Sequence, residues 1–320
     1  MDMQEKIPLL AIAGPTASGK TKLAVELAKA FDGEVISADS MQVYRGMAIG
    51  TAQPTLEEME GIPHHLIGFL DPDEAFSVAQ YVELARAKIR EVHNRGKLPI
   101  LAGGTGLYLS SVVDNIDFHE IKSDPDLRRE LEARAREEGG EALLRELASF
   151  DPELAAALHP NNLGRILRAI EVYRLTGKPM SLPQEASRQK PGNYALCYLG
   201  LCYDNRQKLY DRINLRVDLM VEAGLLQEAE DLFRSRFAGT ARQAIGYKEL
   251  EGYFSGGTPL EDCLEAIKLG SRRYAKRQLT WFRRDGRIHW IAVDRFPSWR
   301  EVLEEAQNTL VKSGILCYTK

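Results

Sequence analysis

The sequence predicts an α/β fold, a P-loop-type parallel sheet flanked by helices with an all-helical insertion domain, and three observations predict it. The first is Gly14-Pro15-Thr16-Ala17-Ser18-Gly19-Lys20-Thr21, two glycines bracketing four residues ahead of a Lys-Thr pair, set between an apolar run at 8–13 and a helical pattern at 21–30. The second is the alternation of short apolar runs with amphipathic helices from Pro8 to Ala102, the pattern of a parallel sheet covered by helices. The third is a change past Tyr108: between Asn115 and Gly192 helical patterns continue and strand patterns stop. The expected domains are a core of residues 1–114 and 193–320 and a helical insertion of residues 115–192.

Taken in order, the first strand is Leu9–Ala13, and the glycine-bracketed loop follows it directly. Glycines at both ends let the backbone curl so that several N–H groups face one point, and the helix starting near Lys20 adds its positive N-terminal end. A ligand there carries phosphate: Lys20 neutralises its terminal charge and the Thr21 hydroxyl is placed to hold Mg²⁺. The loop alone does not name the reaction. Further strands are expected at Glu34–Ala38 and Leu98–Leu101, and ligands of such sheets sit at the carboxyl ends of the strands. Asp39-Ser40 and Gly103-Gly104-Thr105-Gly106 therefore become candidates together with the loop. Asp39 reads either as a turn cap or as a metal ligand or base. The glycines at 103–106 read either as a turn or as a place where backbone approaches a ligand, with Thr105 offering a hydroxyl. His64 and His65 read as packed or surface side chains, since nothing nearby has metal-ligand spacing.

A loop at 71–75 precedes a helix to Asn94 with Ser77 as its cap. In the insertion, helices are expected at Pro125–Glu138, Glu141–Ser149 and Asn162–Thr176, the last stopped by Gly177 and Pro179. Arg165 and Arg168 share one face of that last helix, with Arg174 beyond, either gripping an anion or forming a solvated face. The apolar run 194–203 returns the chain to the sheet, and a helix over 205–223 follows with Leu209, Ile213, Val217 and Met220 in helical register. Gln243 to Lys248, which includes Gly246 and Tyr247, is a glycine-aromatic-basic element, a helix start or an RNA-facing turn.

The stretch from Lys268 to Arg287 carries Lys268, Arg272, Arg273, Lys276, Arg277, Arg283, Arg284 and Arg287 against the single acid Asp285, with Tyr274, Trp281 and Phe282 interleaved. Cations at helical spacing track a phosphate backbone and aromatic rings stack on bases. An apolar side of Leu269, Leu279 and Trp281 packed on the sheet accounts for part of the pattern without RNA. A last strand at 288–293 and a closing helix at 299–311 complete the chain.

The charge balance conceals that stripe: 42 basic and 46 acidic residues among 320 give a net charge of −4, so any nucleic-acid surface is local. Cys197, Cys202, Cys263 and Cys317 form no CxxC pair and read as thiols of a reducing compartment. The short charged start, Met1 to Lys6, and the lack of any apolar run near ~20 residues lead us to expect a soluble cytoplasmic chain, no membrane partner and a monomer.

With these residues assembled, the chain resembles the tRNA dimethylallyltransferase family, also called tRNA isopentenyltransferases or IPP transferases. The resemblance runs from about residue 8 to 285, through the loop at 14–21, Asp-Ser-Met-Gln-Val-Tyr-Arg-Gly-Met at 39–47, Gly-Thr-Ala-Gln-Pro at 50–54, His-His-Leu-Ile at 64–67 and Gly-Gly-Thr-Gly-Leu-Tyr at 103–108. It continues through Arg-Ile-Leu-Arg-Ala-Ile-Glu-Val at 165–172, Ala-Ile-Gly-Tyr-Lys-Glu at 244–249 and Tyr-Ala-Lys-Arg-Gln-Leu-Thr-Trp-Phe at 274–282. The resemblance implies transfer of a dimethylallyl group from dimethylallyl diphosphate to N6 of an adenosine beside the anticodon of tRNA, with Mg²⁺. By motif position it implies that Gly14, Pro15, Thr16, Ala17, Ser18, Gly19, Lys20 and Thr21 bind the diphosphate, with Thr21 on the metal. Asp39 is then the base, with Thr105 and Arg128 at the reacting groups. Implied tRNA contacts are Asp39, Ser40, Met41, Gln42, Gly164, Arg165, Arg168, Gln243, Gly246, Tyr247, Lys248, Arg272, Lys276, Arg277 and Arg283. The chain departs from the family at Gln53, commonly Lys, and at Gln80-Tyr81, commonly Asp-Phe. From the residues alone, two other readings stay open: a nucleotide or small-molecule kinase, and a nucleotide-gated RNA-binding module.

Overall fold

A computed structural model describes residues 6–116, 124–181, 192–235 and 237–318. The chain divides into two compact units, residues 1–113 with 193–320, and residues 114–192.

The first unit is built on β1 (Ile7–Ala13), α1 (Lys20–Ala30), β2 (Gly33–Ser37), α2 (Leu56–Met59), β3 (His64–His65), α3 (Val78–Asn94), β4 (Leu98–Gly103), α4 (Gly106–Val113), β5 (Tyr194–Cys202) and β6 (His289–Ala292). The strands form one sheet in the order β3-β2-β4-β1-β5-β6, and every pairing is parallel. β1 and β4 are apolar along their length because helices cover both faces of such a sheet. Register decides where the chain leaves it. Ala13 pairs with Gly103 and Ser37 with Ala102, so the exits of β1, β2 and β4 are level.

One face of the sheet packs Leu10, Ile12 and Ile100 against Leu23, Ala24 and Leu27 of α1 and against Val302 and Leu310 of the C-terminal helix, Trp299–Lys312. A second core gathers Tyr44 and Met47 from the segment after β2, Val217, Leu225 and Ile267 from the helices Arg206–Glu222, Leu225–Arg234 and Leu260–Phe282, and Tyr247 from the segment between the last two. α3 starts on a capping box: the Gln80 amide donates to Ser77 Oγ at 3.2 Å and the Ser77 amide to Gln80 Oε1 at 2.8 Å. Such a cap contributes ~1 kcal/mol, so Gln80 serves helix initiation. The Tyr81 ring stacks on Tyr108 with centroids 3.8 Å apart, and its buried hydroxyl donates to the Ser37 carbonyl at 2.9 Å. Gln53 Nε2 donates to the carbonyls of Gln42 and Tyr44, an amide doing what an ammonium would do there.

Two features differ from expectation. His64–His65 forms an edge strand held by Val35 and Ile36, too short to leave an apolar run in the sequence. In the Leu260–Phe282 helix, Leu269 is 40% exposed, and the buried face is instead Cys263, Ile267, Ala275, Gln278 and Phe282. A polar Gln on that face hid the helical stripe.

The second unit packs α5 (Pro125–Glu138), α6 (Gly140–Ala148), α7 (Pro152–Ala156) and α8 (Leu163–Thr176) around Leu131, Leu143, Leu147, Ile166 and Ile170. Asp124 caps α5 through the amides of Asp126 and Leu127, and Gly177 ends α8 at φ 69°. Phe150 stacks on Tyr173 with centroids 3.9 Å apart. Among the described residues no helix is long and apolar enough to cross a membrane.

The level exits depend on Gly103. A Cβ built there would lie 2.1 Å from the Ala38 carbonyl oxygen, so only glycine lets β2 and β4 leave the sheet side by side. We expect Gly103→Ala to lower the thermal midpoint by roughly 3–10 °C, the shift that ~1–3 kcal/mol of overpacking produces in a domain of this size. An unchanged midpoint in a thermal melt would show that the exits separate freely.

Candidate active site

The loop after β1 takes its shape from backbone geometry. Ala17 adopts φ 62° and Gly19 φ 100°, left-handed conformations that turn successive N–H groups toward one side, and α1 begins at Lys20. A Cβ on Gly14 would lie 2.7 Å from the Leu201 carbonyl oxygen. A Cβ on Gly19 would lie 2.9 Å from the Trp299 ring, whose indole N–H donates to Glu26 on α1 at 3.2 Å. The loop is closed by the Ser18 amide donating to the Pro15 carbonyl at 3.3 Å and by Lys20 Nζ donating to the same oxygen at 2.7 Å.

One cavity of about 310 Å³ opens beside the loop. Thr16, Lys20 and Thr21 line it from the β1 exit, Asp39, Ser40, Met41 and Gln42 from the β2 exit, and Gly103 and Gly104 from the β4 exit. Opposite them stand Arg216 of the Arg206–Glu222 helix, Gln243 and Gly246, and Tyr274, Arg277 and Gln278 of the Leu260–Phe282 helix. Asp39 is a cap and a site group at once: its Oδ1 accepts the Met41 amide at 2.9 Å and the Gln42 amide at 3.4 Å while the residue lines the cavity. Thr105 sits one layer back, its Oγ1 accepting the Ser40 amide at 3.0 Å and its amide donating to Ala38 at 3.1 Å. Gln42 ties the β2 exit to the next loop, its side-chain amide donating to Thr51 and Ala52 and its carbonyl accepting from Ser37. Glu228 holds that loop from behind, accepting the amides of Ile49 and Gly50 and the Tyr247 hydroxyl at 2.6 Å.

Burial sets the electrostatics. Lys20 is held down to about 7, first by desolvation and then by the Arg216 charge, with Asp39 pulling the other way. Desolvation also lowers the Arg216 pKa, and Arg216 Nη1 donates to Thr16 Oγ1 at 3.2 Å. Burial raises the Tyr274 phenol, aided by Asp39 and opposed by its hydrogen bonding with Thr105 and Gln278, so it stays a donor. Two cations meet a polar floor within one cavity, an arrangement that binds a multiply charged anion.

The other expected site residues divide between the cavity wall and other places. Ser18 is fully buried with its Oγ turned inward toward Gly14, so only its backbone belongs to the cradle. Tyr247 is a core residue, edge-on to Phe237, and its ring is closed to any base. Arg272 donates to Asn214 Oδ1 at 2.6 Å and is half-buried, so it braces two helices. Of the basic stripe, Lys268 pairs with Asp218 and Glu265 and Arg287 with Asp285, while Arg273, Lys276, Arg277, Arg283 and Arg284 are exposed. Lys248 lines the cavity with its ammonium 3.8 Å from Glu249. In the second unit Gly164 and Arg165 are exposed, whereas Arg128 and Arg168 both point to the buried Glu171, at 3.9 and 2.8 Å. Both guanidiniums are therefore oriented by that buried carboxylate, while their side chains stay 29% and 34% exposed.

Sequence reasoning missed Arg216 and Gln278. Arg216 neighbours Val217 in an apolar helical register and carried no local signal. Gln278 lies four residues after Tyr274, so the two face the cavity together, and that spacing was the available clue.

Residues 42–285 match the model of a family described as IPP transferase. The chain is 49% identical over 309 residues to the tRNA dimethylallyltransferase of Acetivibrio thermocellus, covering 96% of this chain and 98% of that one. It is 50% identical over 288 residues to the enzyme of that name from Bacillus subtilis, covering 89% and 91%. Among solved structures it is similar to the full-length tRNA isopentenylpyrophosphate transferase of Bacillus halodurans, with TM-score 0.72, 48% identity and 98% of each chain covered. It is also similar to a eukaryotic dimethylallyltransferase described as acting on tRNA, with TM-score 0.77, 31% identity, and 95% of this chain and 79% of that one covered. The family model matched over residues 42–285 and relatives about half identical over nearly the whole chain place this chain in the IPP transferase family.

Proposed function

We propose that the chain is a cytoplasmic, monomeric tRNA prenyltransferase that moves a dimethylallyl group from dimethylallyl diphosphate to N6 of an adenosine next to the anticodon. One observation carries the reading: the anion cradle of Thr16, Lys20 and Thr21 and the carboxylate of Asp39 line the same cavity, so a leaving diphosphate and a proton-losing amine meet there.

The diphosphate binds to the loop amides, with Lys20 and Arg216 taking up its charge in a desolvated site where each contact is strong. As the allylic C–O bond breaks, its electron pair stays on the diphosphate and N6 forms the new bond to the same carbon. The N6 proton passes to Asp39, whose orientation the Met41 and Gln42 amides fix in advance. Thr105 holds the Ser40 backbone and neighbours the Tyr274 hydroxyl, which keeps the β2 exit in place during transfer. No cluster of three or more metal-ligating side chains exists among the described residues, and the Thr21 hydroxyl lines the cavity. That donor set suits Mg²⁺ arriving on the diphosphate, which the Thr21 hydroxyl would help to hold and which would neutralise phosphate charge. The adenine must leave the anticodon stack to reach the cavity, a cost of a few kcal/mol. The exposed Arg273, Lys276, Arg277 and Arg283 on the Leu260–Phe282 helix and just past it, with Arg165 on the insertion, are cations that can offset it.

Incubation with radiolabelled dimethylallyl diphosphate, Mg²⁺ and unmodified tRNA should move label onto the adenosine beside the anticodon. Unlabelled tRNA together with ATP hydrolysis would point instead to a kinase. Asp39→Asn preserves the cap to Met41 and Gln42, so tRNA affinity should hold while kcat falls by at least ~10²; near-normal turnover would remove Asp39 from the proton transfer.

Lys20 adds a pH signature. Free, it titrates at about 7 and is mostly neutral above that; a bound diphosphate pulls it back toward the ordinary 10.5. Binding of pyrophosphate with Mg²⁺ at pH 8 should therefore take up a proton, and affinity should fall as pH rises above about 7. Calorimetry in two buffers of different ionisation enthalpy checks this, and identical heats in both would contradict it.

A further inference from the structure

Gln278 is 5% exposed, and its amide joins two loops far apart in the chain. Oε1 accepts the Thr16 amide of the phosphate loop at 2.8 Å, and Nε2 donates to the Gly104 carbonyl at the β4 exit at 2.9 Å. The orientation of the amide is forced, since one neighbour only donates and the other only accepts. Gly104 is shaped for the contact: a Cβ there would lie 2.2 Å from Gln278 Nε2. One turn on, a Cβ at Gly106 would lie 2.2 Å from the Trp281 ring, so the same helix presses on this loop twice. The opposite face of that helix carries the exposed Arg273 and Lys276, while Arg277 lies over the Tyr274 ring at the cavity wall.

One rigid helix thus presents cations outward and a buried amide inward to both loops that shape the cavity. We propose that Gln278 is a positioning residue that couples the two substrates: RNA bound along the outer face fixes the helix, and Gln278 passes that constraint to Thr16 and Gly104, so tRNA tightens diphosphate binding. The inference rests on the prenyltransferase reading. By linkage the effect is reciprocal, and a coupling of ~10-fold lies within the usual range for two sites on one body.

The test is the Kd of inorganic pyrophosphate with Mg²⁺, measured with and without saturating unmodified tRNA. In the unaltered chain tRNA should lower that Kd about 10-fold. In Gln278→Met, which keeps the volume and removes the hydrogen bonds to Thr16 and Gly104, the ratio should fall to within about two-fold even if both absolute affinities shift. Should that variant fold poorly in a thermal melt, Gln278→Glu keeps the acceptor for Thr16, loses the donor to Gly104, and should lower the ratio as well. The same ratio in a folded variant and the unaltered chain, or no coupling in the unaltered chain, overturns the proposal. An unaltered chain that neither labels tRNA nor binds pyrophosphate would instead overturn the prenyltransferase reading, so the two failures are distinct.

Discussion

The site depends on the close passage of two backbones at the carboxyl end of the sheet. The Ala38 amide donates to Ala102 at 2.8 Å and the Ala38 carbonyl accepts from Thr105 at 3.1 Å, across a gap that admits no side chain at Gly103. That clasp brings Asp39 beside the β4 exit, and the central place of β1 brings the phosphate loop to the same level. The Leu260–Phe282 helix then closes the far wall, reaching Gly104 and Gly106 only because neither has a Cβ. Three of the four residues at 103–106 are glycines for three different steric partners: Ala38, Gln278 and Trp281.

Within this frame, charge is placed where it is unfavourable until a ligand arrives. Lys20 and Arg216 are both desolvated and repel each other, and Asp39 compensates only in part. A multiply charged anion would relieve that imbalance, turning cation burial that costs stability in the free protein into binding free energy. Asp39 is spared competing duties on one oxygen: only Oδ1 is engaged by the Met41 and Gln42 amides in the described contacts. The second unit handles a buried charge differently. Glu171 is 1% exposed and draws Arg128, Arg168 and the Asp124 amide onto itself, so one buried carboxylate orients two arginines and ties α5 to α8. The exposed Arg165, on the same helix, is left for solvent or RNA.

Much of this was legible in the chain because its signals are local. The glycine-bracketed loop between an apolar run and a helix named a phosphate cradle, and the alternating pattern named a parallel sheet. Ser77 was legible as a cap, and the apolar runs at 9–13, 98–101 and 194–203 marked the strands found at Ile7–Ala13, Leu98–Gly103 and Tyr194–Cys202. The family resemblance rested on the order of eight motifs, and relatives about half identical over nearly the whole chain agree with it.

What only the tertiary structure decided is which side of each residue faces the cavity and which cations are already spent. Composition and spacing treat Arg272, Lys276, Arg277 and Lys268 alike, but Asn214, Asp218 and Glu265 engage Arg272 and Lys268 and leave Lys276 and Arg277 exposed. Tyr247 looks like an aromatic available for stacking until Glu228 and Phe237 are seen to enclose it. Arg216 and Gln278 reach the phosphate loop across 200 and 262 residues of sequence. The sequence determined the local backbone chemistry of the loop, strands and caps, because those depend on residues a few positions apart. Burial, ion pairing and the bridge from Thr16 to Gly104 depend on neighbours that only folding brings together, and no spacing along the chain encodes them.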